Sequence, residues 1–120
     1  MAEHNQKGRD GEKLAEVYLV DKGYAILEKN WQFQHAEIDI IAQKEDTLVI
    51  AEVKARSSSF FGEPEEFVTK QKQKHLIRAA NAYIEKKNLD FEVRFDIISI
   101  IFTGNNHRVY HIEDAFHPIA

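Results

Sequence analysis

The chain has no cysteine, only two prolines and no long apolar run among its 120 residues. Without cysteine, disulfide bonds and thiolate metal sites are excluded. No stretch approaches the roughly 20 apolar residues that a membrane-spanning helix needs. Residues 1–10 are polar and charged, so they lack the apolar core of a secretion signal. These absences predict a soluble, cytoplasmic protein that does not use a membrane as a partner.

What is present suits one globular domain. The hydrophobic content is 43%, and a chain of this length buries roughly two-thirds of the surface that it exposes when unfolded. We find no internal repeat, no low-complexity tract and no interdomain linker in the sequence. A single domain covering residues 1–120 is therefore expected.

The charge is unevenly distributed. The net charge of −4 argues against a protein that coats nucleic acid by bulk attraction. Residues 1–53 carry six Lys/Arg and eleven Asp/Glu, whereas residues 54–78 carry six Lys/Arg and three Asp/Glu. A basic segment thus follows directly after an acidic one, an order that suits acids that hold metal and bases that hold phosphate.

Hydrophobic periodicity predicts seven elements. Apolar residues at helical spacing predict helices over residues 8–22 and 68–87. Short segments rich in Ile, Val and Leu predict strands over 25–31, 36–42, 47–54, 94–102 and 107–112. The nearly continuous apolar run at 94–102 is typical of an interior strand, and residues 55–66 resemble a loop placed to close over a site. The expected fold is α/β, a mixed sheet flanked by helices in the order α-β-β-β-α-β-β.

Two short acidic patterns lie on neighbouring predicted strands, Glu37-Ile38-Asp39 and Glu52-Val53-Lys54. Alternate residues of a strand face the same way, so Glu52 and Lys54 share a face, and Asp39 can reach the same point from the preceding strand. By the same rule, Glu37 and Asp39 lie opposite Ile38 and Ile40, and their side must open to solvent or to a pocket. An acid, a second acid and a lysine are expected to converge.

Such a cluster has two physical explanations. Half-buried carboxylates need compensation, either from a salt bridge with the lysine or from a bound divalent cation. Asp39 and Glu52 could bind Mg²⁺, with the Val53 carbonyl as a third ligand and Glu12 of the first helix as a further acid. Lys54 would then orient or deprotonate the attacking water.

Other polar residues are less specific. The exposed face of the second helix carries Lys70, Lys74 and Arg78, either as a solvated face or as a phosphate contact near the acids. The six histidines show no spacing typical of metal ligands, and we interpret them as surface or polar-core residues.

The ordered motifs resemble a known family. They resemble the restriction-endonuclease-like superfamily, marked by an acid followed by Glu-x-Lys on adjacent strands, and more closely its UPF0102 family, related in fold to archaeal Holliday-junction resolvases. The resemblance runs nearly end to end and rests on Gly8-x-x-Gly11-Glu12, Gly23-Tyr24, Asn30-Trp31, Glu37-Ile38-Asp39-Ile40-Ile41, Glu52-Val53-Lys54-x-Arg56, Phe61-Gly62, Lys72, Arg94-Phe95-Asp96 and Asp114-Ala115-Phe116.

The resemblance implies a three-layer nuclease-like fold with the catalytic positions at Glu12, Asp39, Glu52 and Lys54. It also implies that Lys72 contacts phosphate. Together with the cluster it predicts a Mg²⁺- or Mn²⁺-dependent DNA endonuclease, with branched or otherwise structured DNA as a candidate substrate. The residues expected to receive the nucleic-acid backbone are Arg56, Lys70, Lys72 and Lys74.

Two other classes of protein stay open. One is a nucleic-acid-binding module whose nuclease fold does not cut, and the other is an interaction protein in which the acid-lysine cluster is a structural salt-bridge network. A branched, two-fold symmetric substrate would favour a homodimer that presents two sites.

Overall fold

The computed structural model describes residues 6–58 and 68–117. Its elements follow the predicted order, with each helix and strand close to its expected place. They are α1 (Gln6–Asp21), β1 (Ala25–Phe33), β2 (Ala36–Lys44), β3 (Thr47–Ser57), α2 (Lys70–Lys87), β4 (Glu92–Thr103) and β5 (Asn106–Phe116).

The five strands form one sheet in the order β1-β2-β3-β4-β5. The β3–β4 pair is parallel and the other three pairs are antiparallel. A parallel pair needs a long crossover, and α2 lies within it. The mixed α/β fold and its element order are therefore confirmed.

The two helices cover opposite faces of the sheet, and each helix packs against a separate apolar cluster. On one face α1 contributes Ala15 and Leu19 to a cluster with Val49 and Ile98 of the sheet. On the other, α2 packs its buried stripe against a second cluster, and that stripe consists of Leu76, Ala79, Ala80 and Tyr83. As predicted, β4 is an interior strand, buried continuously from residue 95 to residue 100.

A glycine brings α1 close to β3. A Cβ built on Gly11 would lie 2.6 Å from the Cβ of Ala55, closer than two carbon atoms can approach. Gly11 therefore sets how near the helix, and the adjacent Glu12, lie to the sheet.

Caps define the limits of α2. Its N-cap is Thr69, whose hydroxyl accepts a hydrogen bond from the N–H of Lys72, so the helix starts two residues later than predicted. It ends at Asn88, which adopts the left-handed conformation (φ 54°) that closes many helices.

Two predicted strand boundaries need correction. The predicted loop at 55–66 begins too early, because β3 continues to Ser57 and pairs Ala55, Arg56 and Ser57 with β4. The last strand is longer than predicted because its pairing with β4 continues to Phe116. The remainder of the predicted loop, residues 59–66, lies outside the described residues.

The predicted alternation of β2 is also wrong at one point. Ile38 packs in the cluster beneath α2, whereas Ile40 packs in the cluster beneath α1. The pairing of β2 with β3 stops at Ile40 and Ala51, whereas its pairing with β1 continues through Ile38. Asp39 lies at this break in the alternation.

Neither helix of the described residues combines the length and the apolar character needed to cross a bilayer.

Candidate functional site

Two acids are buried where β2 and β3 separate. Asp39 and Glu52 are only 8% and 7% exposed, although both are carboxylates. Beyond the last β2–β3 pair, an Asp39 oxygen accepts a hydrogen bond from the N–H of Val53 at 2.8 Å. The side chain thus satisfies a backbone donor of β3 and fixes the position of Asp39 beside Glu52.

Glu52 is only half compensated. One carboxylate oxygen, Oε2, forms an ion pair with Lys72 of α2. The other oxygen, Oε1, is buried without a hydrogen-bond partner. An unpartnered buried acceptor is costly, so Oε1 is an available ligand atom.

Burial disfavours the charged form of both acids. Burial raises the pKa of Asp39 well above its usual range, and the nearby Glu52 charge adds to this; the Val53 hydrogen bond only partly opposes it. Burial also raises the pKa of Glu52, although the ion pair with Lys72 acts in the opposite direction. Glu12 contributes a further repulsive charge at Asp39. Negative charge is therefore in excess at this point.

The acids line an open cleft of about 570 Å³ between β2, β3 and the start of α2. Lys54 lies in its wall, and Glu12 reaches it from α1. The structure thus places Glu12 of α1, Asp39 of β2, and Glu52 and Lys54 of β3 around one cavity.

A second groove of about 250 Å³ meets the same acids from the side of α1. Its wall shares Asp39 and Glu12 with the larger cleft and adds Arg9, Lys13 and Lys29. Asp39 and Glu12 therefore line both cavities.

The donor set suits a hard divalent cation. Mg²⁺ prefers oxygen ligands and often takes only one or two protein carboxylates, keeping several waters. The unpartnered Oε1 of Glu52 and the raised pKa values of both acids are what a cation would relieve. Among residues 6–58 and 68–117, no three His, Asp or Glu side chains stand close enough to form a complete metal cage by themselves. The fit therefore depends on two carboxylates, with Glu12 nearby.

The predicted nucleic-acid contacts are not grouped together. Lys72 lines the cleft and contacts Glu52. Lys70 and Lys74 are exposed on α2, and Arg56 is half-buried on β3. In the part of the chain that the structure describes, the cleft wall does not include Arg56, Lys70 or Lys74.

The helical spacing of residues in α2 could have indicated, from the sequence alone, which face of the helix carries Lys72. Lys72 lies four residues before the buried Leu76, so it shares the face that packs on the sheet. Sequence reasoning also missed two residues of the cleft wall, His35 and His75. No spacing rule links them, since they lie 40 residues apart.

A third buried acid contrasts with this pair. Asp96 of β4 is fully buried and receives two hydrogen bonds from Arg94, at 2.8 and 2.9 Å. His111 Nε2 lies 2.7 Å from it, and the N–H of Asp114 donates to it at 3.0 Å. Burial acts to raise the pKa of Asp96, but the bonds from His111 and Arg94 outweigh it and lower the pKa. The charge of Asp96 is satisfied within the fold.

Fold and site together define a small mixed α/β protein with an incompletely compensated acid pair at a cleft. The chain belongs to the uncharacterised protein family UPF0102, whose model matches residues 11–100. UPF0102 proteins of Flavobacterium psychrophilum, Christiangramia forsetii and Bacteroides thetaiotaomicron are 53%, 51% and 49% identical to it. These matches cover 97% or 98% of this chain and 98% of each relative. The resemblance to the UPF0102 family noted in the sequence is confirmed.

Proposed function

We propose that this protein is a metal-dependent nuclease that hydrolyses phosphodiester bonds of DNA. The observation that carries the proposal is the buried, half-compensated pair of Asp39 and Glu52 at an open cleft. A pair with a purely structural role would be expected to have its oxygens bonded.

Each residue then has a role. Asp39 and Glu52 hold Mg²⁺ or Mn²⁺, and Glu12 assists from α1. Such an ion supplies Lewis acidity at the scissile phosphate and lowers the pKa of water. Lys54, in the same wall, orients the attacking water and stabilises charge that develops on the phosphate.

Lys72 has two partners in this proposal. Its ammonium group pairs with Glu52, where it neutralises part of the acid charge. With a cation bound at Glu52, Lys72 would be available for a phosphate oxygen of the substrate. The basic segment with Arg56, Lys70 and Lys74 would hold the flanking backbone of the DNA.

Cleavage of a panel of labelled DNAs tests the proposal. Single-stranded, duplex, flap and four-way-junction DNAs are incubated with Mg²⁺, with Mn²⁺ or with EDTA. We expect metal-dependent products with the wild type and at least a ~10³-fold loss in Glu52→Gln, as for removal of a strong transition-state contact. Glu92→Gln, at an exposed acid outside the cleft, is the matched control and should cut normally. Equal cutting by wild type and Glu52→Gln contradicts the proposal.

The ion pair between Lys72 and Glu52 favours one alternative, an interaction protein with a structural acid-lysine network. That alternative predicts no binding of divalent cations or DNA. It also predicts that Lys72→Gln is strongly destabilising, since it would leave a buried acid unpaired. A module that binds DNA without cutting would retain DNA affinity while the cleavage panel stays negative.

A further inference from the structure

The large cleft continues into a small side cavity that sequence motifs do not indicate. This cavity has a volume of about 30 Å³ and lies between the β1–β2 turn and α2. It shares His35, Ala36 and His75 with the wall of the large cleft. Arg78 completes its polar lining, together with Gln34 and Phe33.

The sign of charge in this cavity is opposite to that of the acid site. Its described lining residues include Arg78 and two histidines but no Asp or Glu. The guanidinium group carries a permanent positive charge, and each imidazole offers an N–H donor. A cation is disfavoured beside Arg78, whereas an anion can accept bonds from all three side chains.

Size restricts the anion. A cavity of about 30 Å³ admits only one or two water-sized groups. A base or a sugar is too large to enter, but an oxygen of a phosphate group fits. The cavity is open on one side to the cleft, through the residues that the two share.

Two elements hold the donors in place. His35 lies in a two-residue turn, since Phe33 pairs with Ala36, and Gln34 in that turn is left-handed with φ 56°. His75 and Arg78 follow Lys72 at steps of three residues along α2. Arg78 therefore lies roughly 9 Å along the helix axis from the lysine that contacts Glu52. A strand whose phosphate meets Lys72 can extend along α2 to this cavity.

We propose that His35, His75 and Arg78 form a binding subsite for a backbone phosphate of the substrate strand, next to the phosphate that is cleaved. This proposal rests on the nuclease function proposed above and identifies where the strand leaves the acid site. Glu37, also in the wall of the large cleft, accepts a hydrogen bond from Gln32 at 3.3 Å. It lies outside the described lining of the side cavity.

Inorganic phosphate tests the subsite without any cleavage. Imidazole NMR signals of His35 and His75 are followed during phosphate addition to the full chain. Both should shift in the wild type and in Lys86→Gln, which removes an exposed cation of α2 outside the cavity. Both should respond much less in Arg78→Gln. Unchanged histidine signals in the wild type overturn the subsite, whether or not the protein cuts DNA.

DNA binding distinguishes an internal phosphate from a terminal one. Labelled single strands with and without a 5′-phosphate are titrated in EDTA and followed by fluorescence anisotropy. Arg78→Gln removes a charge-assisted contact, so its affinity for both strands should fall by about tenfold. His75→Gln should lower both affinities by a smaller factor. Lys86→Gln should stay within about twofold of the wild type, as expected of an exposed surface change.

The slope of log affinity against log salt concentration should also become shallower in Arg78→Gln, by the amount that one phosphate contact contributes. Equal affinities of Arg78→Gln and Lys86→Gln overturn the subsite while leaving the acid site intact. The subsite is also overturned if Arg78→Gln loses affinity only for the 5′-phosphorylated strand, or if the wild type does not bind DNA. Metal-dependent cleavage that disappears in Glu52→Gln is a separate result, so failure of the subsite and failure of the nuclease proposal are distinguishable.

Discussion

Asp96 and the Asp39–Glu52 pair are both buried, yet their surroundings treat negative charge in opposite ways. Asp96 is bonded to Arg94, His111 and a backbone N–H, and its pKa is lowered. The pKa values of Asp39 and Glu52 are raised, because burial, and at Asp39 also the Glu52 charge, exceeds the compensation they receive. Burial alone therefore does not identify a functional acid. Incomplete compensation of a buried acid beside an open cleft identifies a functional acid more specifically.

The Asp96 network also joins distant parts of the fold. Arg94 contacts the hydroxyl of Tyr24 at 2.6 Å, and His111 Nδ1 lies 3.0 Å from the hydroxyl of Tyr18. These contacts tie β4 and β5 to the end of α1 and to the residue just before β1. The network stabilises the scaffold that holds the acid cleft on the other strands.

The largest expected effect is on stability at Asp96. Asp96→Asn keeps the shape but removes the charge that balances Arg94, so we expect a loss of about 3–5 kcal/mol in the free energy of unfolding. Urea denaturation measures it. Glu52→Gln should cost much less, because burial disfavours the charge of Glu52 and its partner Lys72 is partly exposed to water. Similar losses of unfolding free energy in Asp96→Asn and Glu52→Gln would contradict the difference in charge compensation between the two sites.

The next effect concerns the approach of α1 to the sheet. Gly11→Ala improves helix propensity by about 1 kcal/mol, but its Cβ would meet Ala55 at 2.6 Å. Overpacking of this kind costs about 1–3 kcal/mol, so we expect a net loss of stability and lower cleavage, because Glu12 moves with the helix. Adding Ala55→Gly should recover part of both losses. A Gly11→Ala variant more stable than the wild type would contradict the close packing.

Divalent cations should stabilise the cleft but not the Asp96 network. At Mg²⁺ or Mn²⁺ ten times above its Kd, we expect about 1.4 kcal/mol of added stability in the wild type. The shift should be absent in Asp39→Asn and Glu52→Gln and unchanged in Glu92→Gln. Thermal melts measure it independently of cleavage. A shift that survives in both acid variants would place the cation elsewhere.

The pH dependence of stability should differ in sign between the two regions. Folding raises the pKa of Asp39 above 3.8, so the folded state holds more protons in the window above that value. Its contribution to stability therefore falls as pH rises through the raised pKa. Asp96 has a lowered pKa, so its stabilisation is complete above 3.8 and is lost as pH falls below it. Denaturation curves measured across pH should show that the free energy of unfolding falls less steeply with rising pH in Asp39→Asn than in the wild type. Identical pH profiles would contradict the raised pKa.

Much of the architecture was predictable because it depends on local periodicity. The buried stripe of α2 and the apolar run of β4 each appear directly in the sequence, and so does the order of the elements. The extension of β3 to Ser57 was not predictable, since residues 55–57 contain serine and arginine and gain their strand structure from pairing with β4. Long-range pairing overrides local preference at this point.

The site was predictable only in part. Strand alternation indicated that Glu52 and Lys54 share a face, and both line the cleft. It failed at Ile38 and Ile40, which pack in the clusters on opposite faces of the sheet, beside the point where the β2–β3 pairing ends.

By itself, the sequence determined the elements, their order and the acids on neighbouring strands, because these depend on spacing along the chain. Only the tertiary structure decided which acids are compensated: Arg94 and His111 reach Asp96, whereas Lys72 reaches one oxygen of Glu52 and leaves the other buried and unpartnered. Tertiary structure also brought His35 beside His75. The contact between Arg94 and Asp96 lies within one strand, but the other contacts join residues distant in sequence, and no local pattern encodes them.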